Sequence, residues 1–192
     1  MNLEPDEVAS VRPGEELDWA ALERYLREHV ERLDGPFAVE QFPNGSANLT
    51  YRVSFGDRRL VVRRPPFGEI APGAHDMRRE YTTLASLWQE YPRAPRALAF
   101  CDDHGVVGSD FLVVEYRPGV VVWGAVPSTM TQVPDAARRI GFAVVDALAD
   151  LHVVDPAACG LEGLGKPEGF LERQVGGWRR RWERVGGDAG AL

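Results

Sequence analysis

Few residues in the chain have types and spacing that could do chemistry. Asn44-Gly45-Ser46-Ala47-Asn48 is a turn of small residues that lets backbone N–H groups approach an anion, although a hairpin turn is its ordinary reading. Arg63 closes the apolar run Leu60-Val61-Val62. Strand alternation sets Val61 and Arg63 on one face and Leu60 and Val62 on the other. Glu80 lies in the helical stretch that follows Arg63, where surface glutamates are common. Cys101 and Cys159 stand far apart in the sequence, with no CxxC and no Cys/His cluster, which argues against structural zinc and a disulfide framework. Near the C-terminus Arg173, Arg179, Arg180, Arg181 and Arg184 interleave with Trp178 and Trp182. That mixture suits an anionic substrate or nucleic acid, but a helix with its tryptophans inward and arginines solvated is the commoner arrangement.

The elements that must position these residues follow from periodicity. The first dozen residues look like a loose tail. Asp18 is an N-cap for a helix to about Leu33, with Trp19, Leu22, Leu26 and Val30 on one stripe. Strands are expected over Phe37–Phe42, Leu49–Phe55 and Leu60–Arg63, the last stopped by Pro65-Pro66. The period turns helical from His75 to Tyr91, with Met77, Tyr81, Leu84, Ala85 and Trp88 on one face. Arg96–Cys101 and Asp110–Tyr116 are two more strands, joined by a polar turn, and Arg117-Pro118-Gly119 then serves as a linker. Pro134–Val153 is a helix with Ile140, Val144, Leu148 and Leu151 as its buried stripe. A last amphipathic helix, carrying Leu171, Val175, Trp178, Trp182 and Val185, is interrupted by Gly176-Gly177, and the tail from Gly186 has no reason to fold.

Composition narrows the classes. The 192 residues carry 44% apolar residues and a net charge of −7, enough apolar mass for one sizeable core and the wrong sign for a general nucleic-acid or anionic-membrane binder. Lys166 is the single lysine and every other basic residue is arginine, a bias of GC-rich coding that carries no functional weight. The N-terminus is acidic without an apolar h-region, and no apolar run approaches a membrane span. A soluble, cytoplasmic protein is expected.

Three strands, a helix and two strands form the layout of a kinase-like small lobe, and five local sequences agree with it in order. Asn44–Tyr51, Val61–Pro66, Ala74-His75 with Arg79-Glu80-Tyr81, Val107–Phe111 and Leu151-His152 together resemble the aminoglycoside-phosphotransferase-like family, over roughly Leu17 to Trp182. The branch they most resemble is the phosphotransferase domain similar to the N-terminal part of certain acyl-CoA dehydrogenase family proteins. The resemblance implies an α+β fold: a five-stranded antiparallel small lobe with one inserted helix, then an incomplete helical large lobe. The expected division is residues 1–34 as tail and helix, 35–117 as the small lobe and 118–192 as the partial large lobe.

It also implies ATP as cofactor, with Asn44, Gly45, Ser46 and Asn48 over the phosphates, Val61 against the base, and Arg63 on the phosphates paired to Glu80. The backbone of Glu115 and Arg117 would meet the adenine edge as a hinge. Kinases generally use lysine where this chain has Arg63, and a forked guanidinium is not equivalent to a point charge. The alternative for Arg63 is a solvated edge arginine like Arg64. His75 and His152 match family positions and are assigned packing or capping roles.

The rest of a phosphotransfer site has no candidates. In this family the HGDxxxxN loop and a metal-binding aspartate follow the Leu-His helix. The stretch from Val153 to Leu192 contains no histidine or asparagine, and its aspartates are Asp155, before a proline, and Asp188, in the glycine-rich tail. His104-Gly105 and Leu17-Asp18-Trp19 mimic parts of these motifs in the wrong places. No catalytic and no metal residues are therefore assigned, Mg²⁺ being expected only in a complete relative, and the chain reads as C-terminally truncated. The expected function is ATP-dependent phosphorylation of a small-molecule hydroxyl at family level, with a hydroxyacyl-CoA-type acceptor and no turnover by this chain alone. A non-catalytic nucleotide- or partner-binding remnant is the alternative, with self-association through exposed large-lobe surface.

Overall fold

A computed structural model describes residues 8–43, 47–68, 70, 73–122, 125–184 and 186. Five strands, β1 (Phe37–Gln41), β2 (Leu49–Phe55), β3 (Arg58–Arg64), β4 (Ala97–Cys101) and β5 (Phe111–Glu115), form one antiparallel sheet in the order β1-β2-β3-β5-β4. Helix α1 (Trp19–His29) begins where expected, with the Asp18 carboxylate accepting from the Ala21 N–H at 2.9 Å. Helix α2 (Met77–Glu90) is capped by Asp76, which accepts from the Arg79 N–H at 2.8 Å.

Alternation along the strands divides the core. Leu49, Tyr51, Val53 and Phe55 of β2, Leu60 and Val62 of β3, and Phe111 and Val113 of β5 face Leu22 and Leu26 of α1. Leu112, Val114 and half-buried Val61 face the other way, against Met77, Tyr81, Leu84 and Ala85 of α2. The α1 face makes the larger core.

Three expectations change. Residues from Val8 onward are no loose tail: Ala9 bridges to β1 through two backbone bonds with Gln41, at 2.9 and 2.8 Å, and the buried Gln41 side chain accepts from the Arg12 N–H and donates to Glu15. The turn between β4 and β5 is a short helix, α3 (His104–Val107), capped by Asp103 and ended by Gly108 at φ 82°. Gly176-Gly177 does not interrupt the last helix, α5 (Phe170–Arg184).

The stripes of the last two long helices differ most from expectation. On α4 (Ala136–His152) Val144 and Leu148 are 54% and 49% exposed, and on α5 Trp178 and Trp182 are 64% and 50% exposed. An apolar stripe is buried only where a second surface meets it, and among the described residues none covers these two. The C-terminal half of α4 is tied instead by polar contacts to the α2–β4 connection, through the Tyr91 hydroxyl to the Ala147 carbonyl at 3.0 Å and Arg93 to Asp150 at 3.1 Å.

Tyr51 lies fully buried on the α1 face and donates its hydroxyl to the Glu15 carbonyl at 2.6 Å. Burial pushes its phenol up to about 12. A folded-state pKa raised above the unfolded value favours the neutral phenol. Its contribution is therefore complete below about pH 10 and lost as pH rises toward 12. Chemical unfolding against pH is expected to show stability falling across that window, with a shallower fall for Tyr51→Phe.

Candidate functional site

Arg63 sits near the end of β3, between Thr50 on β2 and Leu112 on β5, and its side chain emerges on the α2 face. Helix α2 crosses that face with Glu80 one turn inside its Asp76 cap, and the carboxylate meets the Arg63 Nη1 at 2.5 Å. Two residues from consecutive elements thus close into a half-buried ion pair between sheet and helix. Arg63, Glu80, Asp76, Arg79, Gly73 and Pro95 border a cavity of about 550 Å³. Within the pair, the Arg63 Nε is buried and has no hydrogen-bond partner. A buried donor without an acceptor is costly.

Val61 lies two residues earlier on the same face, paired across the sheet with Val114 and with Arg52. Arg52 is the residue that periodicity missed. It is only 9% exposed, its Nη2 and Nε reach the Glu40 carboxylate at 2.5 and 3.0 Å, and its Nη1 is a second buried donor without a partner. Burial pulls its pKa down, but Glu40 and the Tyr116 hydroxyl outweigh that and hold it above the ordinary arginine value. Glu40, Arg52 and Tyr116 therefore tie β1, β2 and the segment after β5 together on the α2 face. The only trace of this in the sequence is that arginine and glutamate fall on polar positions of two alternating strands. Their pairing needs the Glu40↔Arg52 register, which the hairpin sets.

Glu115 and Arg117 turn their side chains away from Val61. The Glu115 carboxylate accepts from the Arg96 N–H at 3.2 Å, and the Arg117 Nη2 reaches the Pro92 and Ala94 carbonyls at 3.1 and 2.9 Å and Glu115 at 3.2 Å. Both residues are anchored to the 92–96 segment from behind.

Asn48 leads into β2 and accepts from His75, so His75 does more than pack. Asn44, Gly45 and Ser46 lie outside the described residues. Arg64 is not the solvated edge arginine that its neighbour's alternative reading assumed. It is buried on the opposite face, donates to the Pro65 and Val107 carbonyls at 3.0 and 3.1 Å, and stacks 4.0 Å over Phe67. Desolvation lowers its pKa. His152, at the end of α4, is exposed. Among the described residues no group of three or more His, Cys, Asp or Glu side chains is arranged to hold a metal ion.

A family model described as the phosphotransferase enzyme family matches residues 38–191. The chain belongs to this family. Among proteins similar to this phosphotransferase-family chain, acyl-CoA dehydrogenase family member 11 of Gallus gallus is 30% identical over 187 residues, covering 95% of the chain and 24% of that protein. Acyl-CoA dehydrogenase family member 10 of Mus musculus is 32% identical over 163 residues, covering 84% of the chain and 15% of that protein. A crystal structure from Ralstonia eutropha, assigned as an aminoglycoside phosphotransferase, superposes with a TM-score of 0.67 at 30% identity over 88% of the chain and 48% of its own. The chain thus spans about half of that structure and a quarter or less of these two relatives. The five-stranded sheet with α2 between β3 and β4 is the kinase-like fold of the family.

In a phosphotransferase-family chain the sheet-to-helix ion pair should behave as one unit. Arg63→Ala, Glu80→Ala and the double variant, compared by chemical unfolding, are expected to give a coupling of about 0.5–1 kcal/mol, that of a half-exposed pair. Simple additivity would show the two charges to be independent.

Proposed function

We propose that this chain supplies the nucleotide-binding half of an ATP-dependent phosphotransferase that phosphorylates a hydroxyl on a small molecule. The observation that carries the reading is the Arg63–Glu80 pair at 2.5 Å, with the Arg63 Nε buried and unsatisfied beside an open cavity. In this reading Arg63 and Asn48 hold the phosphates, Val61 lies against the base, Glu80 fixes the Arg63 rotamer, and the Glu115 and Arg117 backbone meets the adenine edge. Asn44, Gly45 and Ser46 complete the set in sequence. ATP, when bound, supplies the transferable phosphoryl group. Residues 35–117 act as the small lobe and 118–192 as part of the large lobe.

The acceptor we propose is a hydroxyl-bearing acyl-CoA, a choice supported by similarity to proteins named acyl-CoA dehydrogenase family members. After His152 the sequence has no histidine or asparagine with which to build an HGDxxxxN loop, so no turnover is expected from this chain by itself. The second reading is a non-catalytic nucleotide- or partner-binding module. Among the described residues no helix is long and apolar enough to cross a membrane, and both cysteines are free and buried, which suits the cytoplasm we propose. The exposed stripes of α4 and α5 suit association with a second surface, either another copy or a completing lobe.

Thermal unfolding with ADP or ATP tests the core of this proposal. At ten times the Kd, nucleotide is expected to stabilise the chain by about 1.4 kcal/mol, a rise of roughly 3–6 °C in Tm, with no phosphate released or transferred. Arg63→Ala is expected to abolish the rise. An unchanged Tm at millimolar nucleotide would remove nucleotide binding from both readings, and turnover by the chain alone would refute its proposed dependence on further residues.

A further inference from the structure

Resting on the nucleotide reading above, we propose that His75 is a positioning residue for the nucleotide phosphates, acting through Asn48. The His75 Nδ1 lies 2.5 Å from the Asn48 Oδ1, and both residues are half-buried. The carboxamide oxygen accepts from the ring N–H, which leaves the two Nδ2–H donors of Asn48 as its free hydrogen-bonding capacity. Asn48 immediately precedes Leu49, and Thr50 is the strand partner of Arg63. The fixed carboxamide therefore stands at the same end of the sheet as the Arg63 guanidinium and offers donors where an anion would already be drawn.

The backbone shows that this contact is held against a cost. His75 has φ 55°, the left-handed region that a residue with a β-carbon occupies at about 1 kcal/mol or more. The next residue, Asp76, caps α2, and Glu80 one turn later holds Arg63. One short segment, residues 75–80, thus holds both the Asn48 carboxamide and the Arg63 cation. An imidazole that merely filled space would need neither the left-handed backbone nor the directed Nδ1 bond.

Calorimetric titration of the full 192-residue chain with ADP and, separately, with adenosine tests this. His75→Gly keeps the left-handed backbone and deletes the ring. His75→Asn also tolerates that backbone and places an amide donor where Nδ1 stood. ADP affinity is expected to fall about tenfold in His75→Gly and to return to within about threefold of wild type in His75→Asn, while adenosine affinity stays within about twofold throughout. Asn48→Asp keeps the acceptor for His75 but replaces the donors with a carboxylate, and it should lose more ADP affinity than His75→Gly. Equal ADP binding by His75→Gly and wild type would overturn the positioning role alone. So would an equal loss of adenosine, which would mark a merely structural contact. Failure of wild type to bind ADP would bring down the nucleotide reading and this inference with it.

Discussion

Arg63 puts a guanidinium on a sheet face beside the apolar Val61, Leu112 and Val114, and Glu80 allows it to stay there. Without a carboxylate at 2.5 Å the cation would swing to solvent or leave the face unfilled. With one, the charge is fixed at the junction of β3 and α2. The pair also helps fix the helix, which further meets the sheet through the apolar cluster around Met77 and through Arg78 stacked over Phe100. Position of the cation and position of the helix are thus one constraint.

The two faces of the sheet divide the labour. The α1 face carries the larger core, with Leu22, Leu26, Tyr51 and Phe55 fully or nearly fully buried, and the N-terminal segment is bound to the sheet edge through Gln41 and to Tyr51 through Glu15. That face supplies rigidity. Among the described residues, the α2 face holds two of the three buried side-chain polar atoms without a partner, on Arg52 and Arg63. Stability made on one side offsets the cost of the unpaired polar atoms held on the other.

Most of this architecture could be read from the sequence, because local rules decide it. Alternation fixed which of Leu60, Val61, Val62 and Arg63 share a face, Asp18 announced α1, and the change of period after Pro66 announced α2. Three features escaped for reasons of range. The Glu40–Arg52–Tyr116 tie depends on strand register and on where the chain goes after β5. The burial of Arg64 depends on α3, a short helix whose sequence resembles a polar turn. The exposure of Val144, Leu148, Trp178 and Trp182 depends on whether a partner surface lies opposite, which helical periodicity never encodes. Within the candidate site, the Arg63–Glu80 pair was expected from the family resemblance, whereas the His75–Asn48 bond required coordinates.

The most direct measurement of the central claim is the Arg63 Nε–H resonance in a ¹H–¹⁵N spectrum titrated with ADP, assigned by its loss in Arg63→Lys. The account predicts a saturable shift of that resonance together with the Val61 amide, while the Arg64 Nε–H, already bonded to the Pro65 carbonyl at 3.0 Å on the opposite face, stays in place. An Arg63 resonance that does not move while ADP binds elsewhere on the chain would contradict it.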